Sequence, residues 1–476
     1  MNAYCQGDPT LQIALAANIQ ALRPFVWVFG RVEIGHAALL LGFRVLKPED
    51  RRSEDGVLSR RVVTTMLGID GSRVRLDRVD VVDGELLIWV RPKARWQQRC
   101  PHCERRCARY DPGRERRWRA LDAGRTKVFI VATVPRVRCP EHEVVVAAVP
   151  WARHGARHTR AFEQLAAWCA VEMTSSAASA LLRCSWRTIG VIVARVAADA
   201  TAQLDVLDGL RRIGVDEISY RRGKKYLLVV VDHDRRRLIW AVPGATKESL
   251  TGFFTALGPE RAAQLTHVSC DGMDWLNKAL RTAAPNAVIC ADPFHIVQWA
   301  MKALDLVRRQ IWNDTRRREG LTGNRDGKHS GGQTKAMMQS RWALWKNPQN
   351  LSSHQQAQLA YIAATHPTMF RAYRLKEALR LVFTLSGENA IAALARWRAW
   401  ARRSRLKPFV ILAQRITKYW TQIVATLTHG VTNALVESIN TKIRLITRRA
   451  FGFRNTDALI GLAKLSLGGY RPTVPT

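Results

Sequence analysis

Apolar and polar positions begin to alternate clearly only after residue 66. SRVRLDRVDVVDGELLIWVRP (residues 72–92) follows a period of two and breaks at Asp83-Gly84, which predicts a β-hairpin with a tight turn. AFEQLAAWCAVEM, SSAASALLRC and SWRTIGVIVARVAADA then read as three helices with short breaks between Arg160 and Ala200. Three β-rich runs follow, IGVDEISY, YLLVVVDH and RLIWAVPG, with turns at Arg222-Gly223-Lys224 and His233-Asp234. After them come a helix (KESLTGFFTALG), a strand (THVSC), a helix (MDWLNKALRTA), a strand (AVICA) and a helix from Phe294. Three antiparallel strands followed by alternating helix and strand predict a mixed five-stranded sheet with helices on its faces, a multidomain α/β chain. Residues 299–425 read as almost wholly helical, except that GNRDGKHSGGQ is polar, Gly-rich and expected to be a mobile connection. Residues 1–65 mix apolar stretches (FVWVFG, HAALLLGF) with a charged KPEDRRSEDG segment and show no clear period.

Length and charge narrow the class. A chain of 476 residues is long enough for two to four domains. Its 75 Lys and Arg against 39 Asp and Glu leave a formal net charge of +36, so a polyanion is the expected partner. Part of the arginine excess is also what a GC-rich genome would supply. No run of about eighteen apolar residues is present, so no membrane span is expected. A charged n-region with a cleavage site is not legible either, and the expected location is the cytoplasm.

Nine cysteines fit a reducing compartment better than a disulfide framework, because four metal-type ligands pair at short spacing. Cys100-Pro-His-Cys103 and Cys139-Pro-Glu-His142 form two knuckles, and tetrahedral zinc takes four thiolate or imidazole ligands. Cys107, His102 and Glu141 are alternative ligands nearby. Structural Zn²⁺ would hold a small module that lacks a core of its own. In the helical segment after it, Ser185 is a plausible N-cap, placing Trp186, Arg187 and Thr188 at the leading end of the third helix. That is the arrangement of a helix-turn-helix facing a DNA groove.

Carboxylates are an odd choice on so basic a chain, and three of them draw notice: Asp216, Asp271 and Glu437. Acids that converge on paired divalent ions can activate a water or a 3′-hydroxyl and stabilise a leaving oxygen. Asp216 and Asp271 would be neighbours if the first and fourth strands of the sheet pair. Asp292 is the rival ligand, with a supporting or helix-capping role as the alternative; His295 can hydrogen-bond near it. Glu217 faces away from Asp216 by strand alternation. Asp274 reads as a first-turn helix acid, and Asp232 and Asp234 as turn residues. Around Glu437, helical spacing puts Asn440 or Thr441, Arg444 and Arg448 on one stripe and Leu435, Ile439, Ile443 and Ile446 on the opposite one. Arg444 and Arg448 are candidate DNA contacts. The Trp-Arg cluster from Trp397 to Arg405 can be read as core and solvated face or as a contact to DNA ends.

GVDEISYRRGKKYLLVVVD, VSCDGMDWLNKALRTAAPNAVICADPFHIVQ and TNALVESINTKIRLITRRAFGFRN resemble, in this order, the transposases of the ISL-three insertion-sequence family. The Cys-Pro-x-Cys knuckle and helix-turn-helix resemble that family's N-terminal modules. The resemblance runs from about Met66 to Tyr470. It implies an RNase H-like catalytic core interrupted by a helical insertion, with Asp216, Asp271 and Glu437 as its catalytic acids and ligands of two Mg²⁺ or Mn²⁺ ions. It also implies double-stranded DNA partners (terminal inverted repeats and target DNA), cleavage at element ends, strand transfer, a bacterial nucleoid location, and a homo-oligomer on DNA. Two departures stand out: His142 occupies a position where a final cysteine is more usual, and residues 1–65 have no counterpart, which makes Met66 a candidate start. The implied division is 1–65 unassigned, 66–98 hairpin region, 99–150 zinc-binding module, 155–205 helix-turn-helix, 210–298 first part of the core, 299–425 helical insertion, and 426–470 catalytic helix and remainder of the core. A zinc-containing DNA-binding regulator, an inactive derivative, or a nuclease without strand transfer are the competing functions.

Overall fold

The structure, a computed structural model, describes residue 64 and residues 70–474 apart from 222, 224, 272, 273, 319–340 and 454. The expectations for residues 1–63, for Met66 and for the GNRDGKHSGGQ segment lie outside the described residues. The chain divides between Gly71 and Ser72, and all that follows concerns the second unit.

That unit opens with a five-stranded sheet. Strands β1 (Val74–Val82) and β2 (Glu85–Pro92) form the hairpin, turning at Asp83 (φ 52°) and Gly84 (φ 74°). Two consecutive positive φ values match the twist of a two-residue hairpin turn. Strands β3 (Ala108–Arg119) and β4 (Lys127–Cys139) pair antiparallel, β4 also pairs parallel with β2, and the short β5 (Glu143–Val146) folds back on β4. Three helices follow: α1 (Arg160–Glu172), α2 (Ser175–Leu182) and α3 (Trp186–Gln203). Each starts from a hydroxyl cap: Thr159, Thr174 and Ser185 accept from Phe162, Ala177 and Thr188 respectively.

The second sheet contains β6 (Arg212–Arg221), β7 (Lys225–Asp232), β8 (Arg237–Pro243), β9 (His267–Cys270) and β10 (Val288–Ala291), in the order β10-β9-β6-β7-β8. Strands β6 to β8 are antiparallel; β9 joins β6 in parallel and β10 joins β9 in parallel. Helices α4 (Lys247–Leu257), α5 (Pro259–Ala263) and α6 (Asp274–Ala283) supply the crossovers. One face of the sheet, with Ile213, Val215, Leu228 and Val230, buries Leu250, Phe253 and Leu276 from these helices.

Helix α7 (Pro293–Arg318) leaves the sheet for a bundle of its own, continued by α8 (Arg341–Trp345), α9 (Ser353–Thr365), α10 (Pro367–Val382), α11 (Gly387–Arg403), α12 (Lys407–Lys418) and α13 (Trp420–His429). This bundle has a core built around Trp299, Leu304, Leu375, Leu394, Trp397 and Phe409. The Trp397 ring is 3% exposed and its Nε1 donates to the Leu375 carbonyl at 2.8 Å, so this tryptophan is core, not a platform for a base. Arg402, Arg403 and Arg405 of the same cluster do face solvent. The chain returns through α13, which lies along the edge strand β10, with Thr426 Oγ1 donating to the Ala291 carbonyl at 2.7 Å.

Two last helices close the unit. Helix α14 (Ala434–Arg449) packs Val436, Ile439 and Ile443 on Ile218, Val229 and Val231, the other face of the sheet. Helix α15 (Thr456–Leu467) packs on α3 and on β8 together. No single helix among the described residues is long and apolar enough to cross a membrane.

Candidate active site

Strand register sets the acids in a row. Val215 of β6 pairs with Cys270 of β9, and Cys270 pairs with Ala291 of β10. The next residue on each of these three parallel strands is an aspartate: Asp216, Asp271 and Asp292. They stand side by side at one level of the sheet, at the carboxyl ends of β9 and β10, where open α/β sheets place their ligands. Glu437 comes from the first turn of α14, across the face of β6.

Each acid meets different surroundings. Asp216 is 9% exposed, and Asn440 Nδ2 donates to its Oδ2 at 2.8 Å. Burial pushes its carboxyl up to about 6; repulsion from Glu437 and Asp271 adds to the rise, while a backbone hydrogen bond and His295 oppose it. Asp292 is buried, accepts from the Phe294 N–H at 3.3 Å at the start of α7, and accepts from His295 Nδ1 at 2.7 Å. The other ring nitrogen of His295 lies 3.6 Å from Asp271 Oδ2. Asp292 is thus held as a helix cap and a clamp on His295, and His295 reaches the middle acid. The Asp292 hydrogen bond, reinforced by Asp271 and Asp216, raises the His295 imidazole above its usual range despite burial. Asp274 opens α6 and binds Lys418 and Tyr419 of the helical bundle, and Asp232 accepts the Asp234 and Arg235 N–H groups in the β7–β8 turn.

Helix α14 packs its expected apolar face with a small change of phase. Ile439 and Ile443 are buried and Leu435 and Ile446 pack partly buried against the same cluster, while Val436 and Asn440 join the buried stripe. Asn440 is therefore in the interior, and the exposed stripe below Glu437 runs through Thr441, Arg444 and Arg448. The reason is that an amide at the sheet-facing position satisfies a carboxylate that would otherwise be buried without a donor.

Several supporting residues went unread in the sequence. Gly214 lies two positions before Asp216 on the same face, and a Cβ there would meet Val436 Cγ2 at 2.4 Å and His233 Nε2 at 2.8 Å. Its bare Cα lets α14 sit close enough for Asn440 to reach Asp216. At the entry to α14, Ser269 Oγ donates to Asn433 Oδ1 and is itself 2.8 Å from His233 Nε2, a buried network tying the helix start to β9 and β7. A glycine inside a β-run signals close backbone approach, so Gly214 had a legible cue. Asn433 and Asn440 had only their position around Glu437.

The knuckles converge as well. Cys100, Cys103, Cys139 and His142 bring their ligand atoms within 4.8 Å of one another. Three of the six separations are 3.6 Å for Cys103 Sγ to Cys139 Sγ, 3.7 Å for Cys100 Sγ to His142 Nδ1 and 3.5 Å for Cys139 Sγ to His142 Nδ1. Tetrahedral bonds of zinc to sulfur and nitrogen require edges of about 3.5–3.8 Å, so the donor set fits that ion. Cys107 turns its Sγ to the Arg105 carbonyl at 3.4 Å, His102 stacks on the His142 ring at 4.9 Å, and Glu141 pairs with Arg105 at 2.8 Å.

Helices α2 and α3 meet at 96° across Arg183-Cys184-Ser185, with Arg183 in the left-handed region at φ 50°. Of the residues at the head of α3, Arg187 faces solvent. Thr188 is half-buried with its hydroxyl 2.9 Å from Ser185 Oγ, and Trp186 packs into the helical cluster with its ring 6.3 Å from that of Phe453. Beneath them, buried Glu163 pairs with Arg153 at 2.8 Å and with Arg195, locking α1 to α3.

Comparison with known proteins matches three segments of the chain. Residues 213–462 match the ISL3 family model described as a transposase, residues 147–197 the helix-turn-helix domain of transposase family ISL3, and residues 96–142 the zinc-finger of transposases IS204/IS1001/IS1096/IS1165. The transposase for insertion sequence element IS1557 of Mycobacterium tuberculosis (strain H37Rv) is 50% identical over 430 residues, covering 87% of this chain and 97% of that protein. The transposase for IS1001 of Bordetella parapertussis is 26% identical over 408 residues, covering 84% of this chain and 96% of its own.

Proposed function

The chain belongs to the ISL3 family of insertion-sequence transposases, and we propose on that premise that it cuts DNA at element ends and joins the freed ends to target DNA by DDE-type phosphoryl transfer. The observation that carries this reading is the acid row: Asp216 and Asp271 follow paired positions of β6 and β9, and Glu437 in the first turn of α14 is near enough to add to the rise of the Asp216 carboxyl. The strand order β10-β9-β6-β7-β8, three antiparallel strands extended by two parallel ones, supports an RNase H-like core split by the helical bundle between α7 and α13. The division into zinc module, helix-turn-helix, core, insertion and returning helix is part of the same proposal.

Asp216, Asp271 and Glu437 would hold Mg²⁺ or Mn²⁺. An all-oxygen donor set suits such hard ions, and a divalent charge would offset the burial, and with it the acid–acid repulsion, that raises Asp216. Bound there, the ions supply Lewis-acid polarisation of the phosphate and a nucleophilic oxygen at neutral pH. Asn440 fixes the Asp216 carboxylate in one rotamer, and Asp292, through His295, orients Asp271. Thr441, Arg444 and Arg448 run from Glu437 along the exposed side of α14, where they follow a phosphate backbone. The Cys₃His cluster supports structural zinc that closes the β3–β4 hairpin, and Arg187 at the head of α3 contacts the terminal inverted repeat. Pairing of two ends calls for a homo-oligomer on DNA.

The test is purified protein with Mg²⁺ and end-labelled duplex from the element terminus. New 3′-hydroxyl ends should form, and Asp216→Ala, Asp271→Ala and Glu437→Ala should each reduce them by at least about a thousandfold. Undiminished cutting by any of the three would remove that acid from the centre.

A further inference from the structure

Helix α14 ends in an arrangement that costs stability without an evident return. Phe451 N–H bonds to the Arg448 carbonyl at 3.0 Å and Gly452 N–H to the Thr447 carbonyl at 2.8 Å, the paired bonds of a Schellman end. In that motif the residue at the Phe451 position takes a left-handed conformation and is ordinarily glycine. Here it is phenylalanine at φ 53°, a bulky side chain where a Cβ is penalised. Among the described residues its ring joins none of the packed apolar clusters. Phe451 is 88% exposed, the highest value for any large apolar side chain among the described residues. Phe453, two residues on, packs normally against Trp186 of α3. Both backbone strain and an apolar ring in water are therefore tolerated at one point, and strain of this kind concentrates at functional positions.

The surroundings say what the ring meets. Arg444 and Arg448 are exposed on the preceding turns, on the stripe that begins at Glu437. Phe451 lies fourteen residues from Glu437, about 21 Å along a helix at 1.5 Å per residue. That equals about six base-pair steps of a duplex lying beside α14. We infer that the Phe451 ring inserts into a base step of the bound duplex, about six base pairs from the reacting phosphate, with Arg444 and Arg448 holding the flanking phosphates. An apolar wedge between bases unstacks one step and bends the DNA around the protein. This rests on the proposed action at DNA ends.

The experiment uses the full chain and a duplex from the element terminus carrying 2-aminopurine at one position at a time. With the wild type, fluorescence should rise severalfold at a single step. Phe451→Trp should keep that signal, whereas Phe451→Gly should abolish it and weaken binding about tenfold. Glycine relieves the strain, so the free Phe451→Gly protein should melt about 2 °C higher. An unchanged fluorescence profile in Phe451→Gly, or a lower melting temperature, would overturn the inference. Failure of the wild type to bind the duplex would instead remove the proposed function along with it.

Discussion

With its carboxyl raised from 3.8 to about 6, Asp216 keeps a proton in the folded chain that it has released in the unfolded one. Metal-free stability therefore falls as pH rises from about 4 to about 6, and the loss is complete at neutral pH. A shift of about two units corresponds to about 3 kcal/mol at most. Asp216→Asn should accordingly stabilise the metal-free protein at pH 7.5 by about 1–3 kcal/mol while ending DNA cleavage. Calorimetry with and without Mg²⁺ checks this, since the ion should raise the wild-type melting temperature and leave the variant nearly unmoved. Asn440→Leu should have the complementary signature: slower cleavage by about tenfold or more and a weaker response to Mg²⁺, because Asp216 loses the donor that Asn440 supplies. Asp216 itself stood out in the sequence as an acid inside a β-branched run. Asn440 could not be chosen over Thr441, since one position of helical phase separates the buried row from the exposed one.

At the scale of elements, α14 reaches the acids because β6 has no side chain at Gly214. Gly214→Ala would push a methyl against Val436 and His233 and should cost about 1–3 kcal/mol. Cleavage should fall more than DNA binding does, a difference that parallel cleavage and gel-shift titrations would reveal. In the helix-turn-helix, Glu163 carries two arginines in a buried setting, and Glu163→Ala should lower stability by about 3 kcal/mol in a denaturant titration. The hairpin at Asp83-Gly84, the Ser185 cap and the two knuckles were legible because each depends on residues close together in sequence. The packing of Trp186 was not, since Phe453 lies far along the chain.

For the whole molecule, α15 is the joint. It lies on α3 of the helix-turn-helix and on β8 of the core sheet, with Gly461 so close to Ala194 that an added Cβ would come within 3.1 Å of its Cα. Truncation before Thr456 would expose apolar faces on both sides. Scanning calorimetry should then show the loss of the single main transition, with the remaining protein prone to aggregate.

The sequence alone determined what rests on local spacing and on residue type: hairpin, caps, cysteine knuckles, strand runs and overall charge, and it marked the three acids proposed for the centre. Only the tertiary structure decided which acids share a level. Asp216, Asp271 and Asp292 are far apart along the chain, and it is the parallel register of β6, β9 and β10 that aligns them. Hydrogen-bond register across strands and the phase of a packed helix depend on contacts distant in sequence, and no local period encodes them.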